Sequence, residues 1–347
     1  MSQITTTPES PAAARRVPRA AAFNRMLAGR EISVLFVLLV LGIAMMFTSA
    51  RHTFYERENL ENIAEQVALL GIFAIGETIV IITGGIDLSL GSLIAYTGMV
   101  LAFLVTRLDL RVYTVAAVAL AIAGTLVVSV AIGAWHAALI HKVRLPAFVV
   151  TLVSLLVLRS QSMVMNHHQQ IVIDPVRFPL FDWLANGKVL HTIPVPAIIL
   201  VLVAVAAQLI LTRTRMGRYL YSVGSNEQAT MLSGVNVFRV KLFAYGASAL
   251  LGGLAGILWA GYGGQGDPQA GNAYELDAVA AAVVGGASLM GGQGSIMGTV
   301  LGACLLNSIF SAINLTLSEP SLWRGTVVGG VLLLAVLATA IQQRGRQ

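Results

Sequence analysis

The segment whose residue types and spacing carry the most chemistry is Thr83–Ser92, which reads Thr-Gly-Gly-Ile-Asp-Leu-Ser-Leu-Gly-Ser. It places one carboxylate, Asp87, among glycines and hydroxyls, between two apolar runs that each approach the length of a membrane-spanning helix. Backbone groups freed from a helix in lipid must be satisfied by protein or a wet cavity, so we predict a deliberate helix break. Asp87 can cap the following helix with Ser89 in its first turn, or the break can be a hinge that lines a solute path.

A second Gly-rich segment, residues 285–295, echoes the first. Both segments follow one apolar run and precede another, and Gly-interrupted spans at matching positions indicate the substrate region of a transporter. We therefore predict two related halves with Gly-rich breaks. The alternative is that both segments arise from composition alone, since the chain holds 34 glycines.

The sequence holds no motif that would give it a reaction of its own. It contains no GxxxxGK[ST] phosphate loop, no HExxH and no GxSxG. His167 and His168 precede two aspartates, but their spacing matches no strong metal-ligand pattern. We expect no catalytic residue, no cofactor and no metal ion, and a protein that is not an enzyme.

The amino-acid composition indicates the class of protein in which these segments lie. Of 347 residues, 56% are hydrophobic and only 11% are charged, with a mean hydropathy of +0.80. Soluble domains carry about 25% charged residues, so we predict an all-α polytopic membrane protein. About ten transmembrane helices are expected, over Ile32–Thr48, Val67–Ile82, Leu93–Thr106, Thr114–Ile140, Ala147–Met165, Val195–Leu211, Leu242–Tyr262, Leu276–Met290, Ile296–Leu315 and Trp323–Ile341.

Charge placement predicts the orientation. With ten spans and a cytoplasmic N-terminus, the inner segments hold about twice as many Lys and Arg residues as the outer ones. We therefore expect both termini in the cytoplasm, so the formal charge of +6 reflects topology rather than nucleic-acid binding. The predicted organisation is a disordered basic tail over residues 1–30, a membrane domain over 31–341 and a short cytoplasmic tail over 342–347.

The longest inner loop, residues 212–241, contains local helix signals. Asn226 or Ser225 can cap a short helix over Glu227–Leu232, and Gly234 can end it. Ala229, Met231 and Leu232 give that helix an apolar side. The helix can dock on a soluble partner or lie on the lipid surface.

Four stretches together resemble a known family, over roughly residues 31 to 341. These stretches are Thr83–Ser92; Leu145–Leu152 with Arg159; Gly217–Val237; and Tyr274–Ala281 running into Gly285–Gly294. On these residues the chain is similar to the membrane permease subunit of bacterial ribose-type sugar ABC importers, within the branched binding-protein-dependent permease family. Two features depart from the family: Ser160 stands where many members have glycine, and residues 263–269 are individual.

The resemblance implies a complex in the bacterial inner membrane. Two permease subunits, as a homodimer or a heterodimer, would form the pore within the membrane lipid. A cytoplasmic ABC ATPase subunit would dock inside, and a periplasmic sugar-binding protein would deliver solute outside. On this resemblance the ATPase-coupling residues are Gly224, Asn226, Glu227, Ala229, Ser233 and Gly234. The candidate translocation path and hinge residues are Gly84, Gly85, Asp87, Ser89, Thr151, Arg159, Gly285, Gly286 and Asn307.

Two rival functions belong to other classes. In an ion-coupled secondary transporter, Asp87, Glu77 or Arg159 would couple protons or ions, but such a carrier needs no coupling loop. A membrane enzyme is disfavoured by the missing motifs. The hydroxyls and amides within the predicted spans suit a neutral polyhydroxyl solute or make interhelical hydrogen bonds. Only the resemblance makes the solute a sugar, and it leaves ribose, another pentose, a hexose, a sugar alcohol or a furanone open.

Overall fold

The structure, a computed structural model, describes residues 19–107 and 115–344 and is mostly helical. Its helices are α1 (Arg19–Met46), α2 (Arg51–Tyr55), α3 (Arg57–Ile82), α4 (Leu90–Arg107), α5 (Val115–Lys142), α6 (Ala147–Val164), α7 (Pro179–Asn186), α8 (Val195–Arg213), α9 (Arg215–Ser225), α10 (Glu227–Leu232), α11 (Val237–Tyr262), α12 (Tyr274–Val284), α13 (Ile296–Thr316) and α14 (Pro320–Arg344). Its strands are β1 (Ile171–Val172), β2 (Lys188–Val189), β3 (Ile193–Pro194) and β4 (Gln265–Gly266).

Seven of the described helices are long and apolar enough to cross a membrane, namely α3, α5, α6, α8, α11, α13 and α14. Two shorter apolar helical stretches, Glu31–Met46 and Leu90–Thr106, join them. The predicted span Leu276–Met290 is not one continuous helix, because α12 has only 11 residues and ends at Val284. Gly286, at φ +99°, turns the chain away from the helix there, a conformation that glycine takes at little steric cost.

Helix α3 is the centre of the bundle, and its part from Val67 to Ile82 is buried throughout. It packs against α8, α11, α12 and α13. Small residues allow the close approach: a Cβ atom on Gly76 would lie 2.9 Å from the Ser248 Cα on α11. The outer helices instead expose large apolar side chains such as Leu120, Leu202 and Leu334, as a lipid-facing surface requires.

Two predicted tails differ from the structure. Helix α1 begins at Arg19, which is inside the predicted tail over residues 1–30. Residues 1–18 lie outside the described part of the chain. Helix α14 continues to Arg344, which is inside the predicted C-terminal tail over 342–347.

The long segment between α6 and α8 is tied to the bundle by short strands and one helix. Strand β1 pairs antiparallel with β4, with Ile171 opposite Gly266, and β2 pairs with β3. Helix α7 contacts both α8 and α11. The Lys188 ammonium bonds the Glu61 carboxylate at 2.6 Å, which fixes this segment to the start of α3.

The two ends of α3 face different segments of the chain. At 26 residues the helix is about 39 Å long, which exceeds the roughly 30 Å thickness of a bilayer's hydrocarbon core. Its beginning contacts Lys188, whereas the carbonyl of Ile82 at its end accepts a 2.9 Å hydrogen bond from the Gly292 amide. The segment between α6 and α8 and the Gly-rich turn after α12 therefore lie at opposite ends of this helix.

Candidate functional site

The predicted break after α3 is present, and its carboxylate is completely buried. Asp87 Oδ1 accepts the Ser89 hydroxyl at 2.6 Å and the Ser89 amide at 3.1 Å. Its Oδ2 accepts the Ser248 hydroxyl of α11 at 3.0 Å. Asp87 thus holds the turn that leads into α4 and ties that turn to a helix far along the chain.

A second carboxylate lies next to the break. The Asp87 amide donates to both Glu77 oxygens at 3.2 Å, and the Glu77 side chain is fully buried in α3. Among the described residues neither Glu77 nor Asp87 has an ion-pair partner. Two buried carboxylates without a cation are costly to keep in a hydrophobic bundle, so hydroxyl and amide donors must satisfy them.

Three further helices close around the break. The Tyr245 hydroxyl of α11 lies over Gly85, where a Cβ atom would come within 2.3 Å of it, so this position has no space for a side chain. Thr151 of α6 donates to the Ile86 carbonyl at 3.1 Å. His136 of α5 bonds the Ser154 hydroxyl at 2.7 Å, and its buried Nδ1 has no partner in the described structure.

The second Gly-rich segment folds back on the first. A Cβ atom on Gly291, at φ +81°, would lie 2.9 Å from the Gly84 Cα. Gly285 is buried against Gly298 of α13, and a Cβ there would lie 2.3 Å from the Gly298 carbonyl. The two breaks, about 200 residues apart in sequence, are therefore in contact in the folded chain.

The predicted short helix between α9 and α11 is confirmed as α10. Asn226 caps it by accepting the Ala229 amide at 2.9 Å, and Gly234 follows its end at φ +83°. The residues Asn226, Glu227, Ala229, Ser233 and Gly234 are exposed, as are the large side chains of Met231 and Leu232. The structure thus presents an apolar tip that nothing in the described chain covers.

Gly224 differs from its predicted companions in the coupling segment. It is half-buried, and a Cβ atom would come within 2.6 Å of the Gly292 amide nitrogen. Beside it, the Tyr221 hydroxyl donates to the Gly294 carbonyl at 2.8 Å. Burial raises the pKa of Tyr221 to about 12, so the hydroxyl remains a donor at neutral pH. Helix α9 is thus fixed to the second Gly-rich turn.

The structure brings most of the predicted path residues together and separates two. Gly84, Gly85, Asp87, Ser89 and Thr151 form one cluster, and the turn that starts at Gly285 and Gly286 packs against it. Arg159 lies apart and donates to the carbonyls of Pro268 and Ala270 at 3.1 and 2.7 Å. Asn307 lines a cavity beside the beginning of α3, far from the break.

Sequence reasoning missed several members of these sites. Ser248, Tyr245 and His136 lie in apolar runs with no local signal that points to Asp87. The Arg324–Asp277 ion pair joins α14 to α12, and its two residues are too far apart in the sequence for any local spacing pattern to predict the contact. The only available signal was the rarity of charged and polar residues within apolar segments.

This arrangement defines a class of protein: a multi-pass membrane permease, with a polar break inside an apolar bundle and a capped helix projecting from it. The chain belongs to the family described as the permease component of the branched-chain amino acid transport system, whose model matches residues 59–337. It is a transport subunit in the inner membrane rather than an enzyme.

Curated relatives cover nearly the whole chain. The ribose import permease protein RbsC of Escherichia coli (strain K12) is 42% identical over 308 residues, which are 88% of this chain and 92% of that protein. The protein of the same name from Bacillus subtilis (strain 168) is 36% identical over 87% of this chain and 89% of its own length. The xylose transport system permease protein XylH of Escherichia coli (strain K12) is 28% identical over 94% and 96%. No solved structure matches the chain.

Proposed function

We propose that this chain is the permease subunit of an ATP-binding-cassette importer and forms the path of a monosaccharide across the bacterial inner membrane. The observation that carries this function is the contact of Gly224, just before α10, with the end of α3 at Ile82 and with the second Gly-rich segment at Gly292. A permease that works with a separate ATPase needs an exposed docking element joined to its gate, which a self-sufficient carrier does not. The sugar class rests on the ribose and xylose permeases to which the chain is similar.

The partners follow from this role. A cytoplasmic ABC ATPase subunit docks on α10, where Met231 and Leu232 offer exposed apolar surface beside Glu227. A periplasmic sugar-binding protein delivers the solute at the opposite side, and a second permease copy completes the pore within the lipid. ATP hydrolysis takes place wholly on the partner, because the sequence has no phosphate-binding loop.

The proposed mechanism transmits a movement of α10 to the break. Displacement of α10 moves Gly224, whose backbone is in contact with Gly292 and with the end of α3 at Ile82. From Ile82 and Gly292 the displacement passes to Gly84, and then along the chain to Asp87. The break residues, with Thr151, Gly285 and Gly286, act as a hinge, and Arg159 holds the segment at Pro268 and Ala270 in place.

We further propose the finer topology predicted from the sequence. About ten spans in two related halves place both termini in the cytoplasm, with residues 1–30 and 342–347 as cytoplasmic tails. The loop over residues 212–241 faces the ATPase, and the segment between α6 and α8 faces outward. The opposite placement of these two segments along α3 supports this orientation.

The test uses the whole complex, with its ATPase and binding protein, in proteoliposomes. We expect ribose uptake only when ATP is present on the side of the ATPase. Ala229→Trp should insert normally, because Ala229 is exposed, yet abolish binding-protein-stimulated ATP hydrolysis or co-purification of the ATPase. Uptake by the permease alone, driven by an ion gradient and indifferent to Ala229→Trp, would overturn the proposal in favour of an ion-coupled carrier.

A further inference from the structure

Two amide-bearing stripes face each other near the start of α3. On α3 the stripe is Asn59, Asn62 and Gln66, and on α13 it is Asn307, Ser311 and Asn314. Each follows the i, i+3 or i+4, i+7 spacing that places residues on one helical face. The Ser311 hydroxyl donates to the Asn59 amide oxygen at 2.9 Å, so the stripes are in direct contact at one point.

A cavity of about 270 Å³ lies between these stripes. Binding pockets for organic ligands usually measure about 300–1,000 Å³, so this one suits a small solute. Among the described residues, the side chains of Asn62, Gln66 and Asn314 make no hydrogen bond with the protein. Each amide presents both donors and an acceptor, which is the combination that a hydroxyl group requires.

The charge at the cavity selects against an anion. Arg324 is the one charged residue among the described lining residues, and its guanidinium forms an ion pair with the buried carboxylate of Asp277. The same guanidinium lies 4.5 Å from the ring centre of Phe310, another lining residue. The cation is thus already neutralised, while the Phe310 ring adds apolar surface beside the amides.

We propose that this amide-lined cavity is a transit binding site for a neutral polyhydroxylated solute of monosaccharide size. This inference rests on the proposed sugar-import function and deepens it, since it assigns the solute contacts to residues remote from the Gly-rich breaks. The site binds weakly, because a typical neutral hydrogen bond contributes only about 0.5–1.5 kcal/mol. Weak binding suits a path, which a solute must both enter and leave.

The first experiment removes the amides that have no partner in the protein. Asn62→Leu, Gln66→Met and Asn314→Leu keep the side-chain size and remove the hydrogen-bonding groups. Each should lower ribose uptake per ATP hydrolysed by about two- to tenfold, while binding-protein-stimulated ATP hydrolysis stays at the wild-type level. Gln208→Met, the same change on α8, is the matched control and should leave uptake unchanged.

The second experiment tests occupancy directly and does not depend on transport. Asn314→Cys in a Cys304→Ala background places a thiol at the cavity, and its alkylation by a maleimide is timed in the inserted complex. Ribose should slow the reaction at least about twofold, the scale of one hydrogen bond, and phosphate at equal concentration should not. The exposed position Ser49, in the turn between α1 and α2, should react as Ser49→Cys at the same rate with or without ribose.

The outcomes separate the two proposals. If the wild-type complex imports ribose with ATP but the cavity variants match it and ribose gives no protection, the inference is wrong and the function stands. Protection by phosphate rather than ribose, or an equal loss in Gln208→Met, also overturns the inference. If the wild-type complex imports neither ribose nor xylose with ATP and neither sugar gives protection, the proposed function fails and the cavity assignment fails with it.

Discussion

Gly224 lies against the carbonyl oxygen of Ile82, so closely that a Cβ atom on Gly224 would come within 1.8 Å of that oxygen. This contact joins the segment before α10 to the end of the central helix. It also explains why glycine stands at residue 224 even though its backbone is not in the left-handed region. The position requires close approach of two backbones rather than an unusual conformation.

Gly224→Ala should therefore push the segment before α10 away from the end of α3, so that movement of α10 no longer reaches the break. Because backbone atoms on both sides must move, we expect a cost of about 1–3 kcal/mol and a clear loss of ATP-driven uptake. Gly246→Ala on α11 is the matched control, since a Cβ there meets no atom within 4 Å. It should be neutral or stabilising by about 0.5–1 kcal/mol. Thermal unfolding and uptake measured on both variants check the prediction, and equal behaviour would contradict it.

Asp87→Asn should impair transport more than folding. Asparagine keeps the size and much of the capping ability, but its NH₂ group is a donor where the carboxylate accepts from Ser89 and Ser248. Loss of one hydrogen bond to a charged acceptor, about 1.5 kcal/mol, corresponds to roughly tenfold lower uptake. Membrane expression should hold, because asparagine matches aspartate in size and the backbone amide of residue 87 still donates to Glu77.

The control for Asp87→Asn is Asp174→Asn. Asp174 also accepts the amide two residues ahead, at 2.9 Å, but it is exposed in the segment between α6 and α8. Its replacement should leave uptake at the wild-type level. Unchanged uptake in both variants would show that Asp87 only caps the following helix and has no role in transport.

The Glu227–Lys241 pair distinguishes an internal role of Glu227 from a role at the partner surface. Lys241 Nζ lies 2.8 and 2.9 Å from the two Glu227 oxygens. Such a pair contributes about 1 kcal/mol or less, so Glu227→Lys should fold and insert, yet lose binding-protein-stimulated ATP hydrolysis. The exchange Glu227→Lys with Lys241→Glu restores the pair but not the surface charge, so hydrolysis should stay low. Recovery in the double variant would show that only the internal pair matters.

Gly234→Val should disturb the exit from α10 through conformation alone. Gly234 has φ +83°, and a Cβ there meets no atom within 4 Å. An L side chain in the left-handed region costs roughly 1–2 kcal/mol, and asparagine tolerates it better. ATPase co-purification should therefore fall for Gly234→Val and recover largely for Gly234→Asn. Equal loss in both variants would indicate a contact that only glycine permits.

The topology is checked by reporter fusions. The excess of Lys and Arg in the predicted inner segments predicts that Gln347 lies in the cytoplasm and residues 166–194 outside. Fusions at these two places should report opposite sides of the membrane. Fusions that report the same side would mean an even number of spans between the two places and would contradict the predicted topology.

Local signals in the sequence were enough for some elements. The apolar runs predicted the long helices, and the Asn226, Glu227 and Gly234 signals predicted α10 with its cap, because capping acts over a few residues. The break at Asp87 was also predictable, since charge and glycine are rare inside apolar runs. The segment Leu276–Met290 was predicted as one helix, although α12 ends at Val284, because composition does not show where glycines turn the chain.

The sequence by itself determined that this is a mostly helical membrane protein with two Gly-rich segments and a short capped helix in its longest inner loop. Only the tertiary structure decided that Asp87 bonds Ser248, that Gly291 packs on Gly84, and that Gly224 lies against Ile82. The physical reason is range: periodicity and capping depend on neighbours within a few turns. Contacts between residues about 140 to 210 positions apart depend on how whole helices pack, where small residues permit close approach on many possible faces.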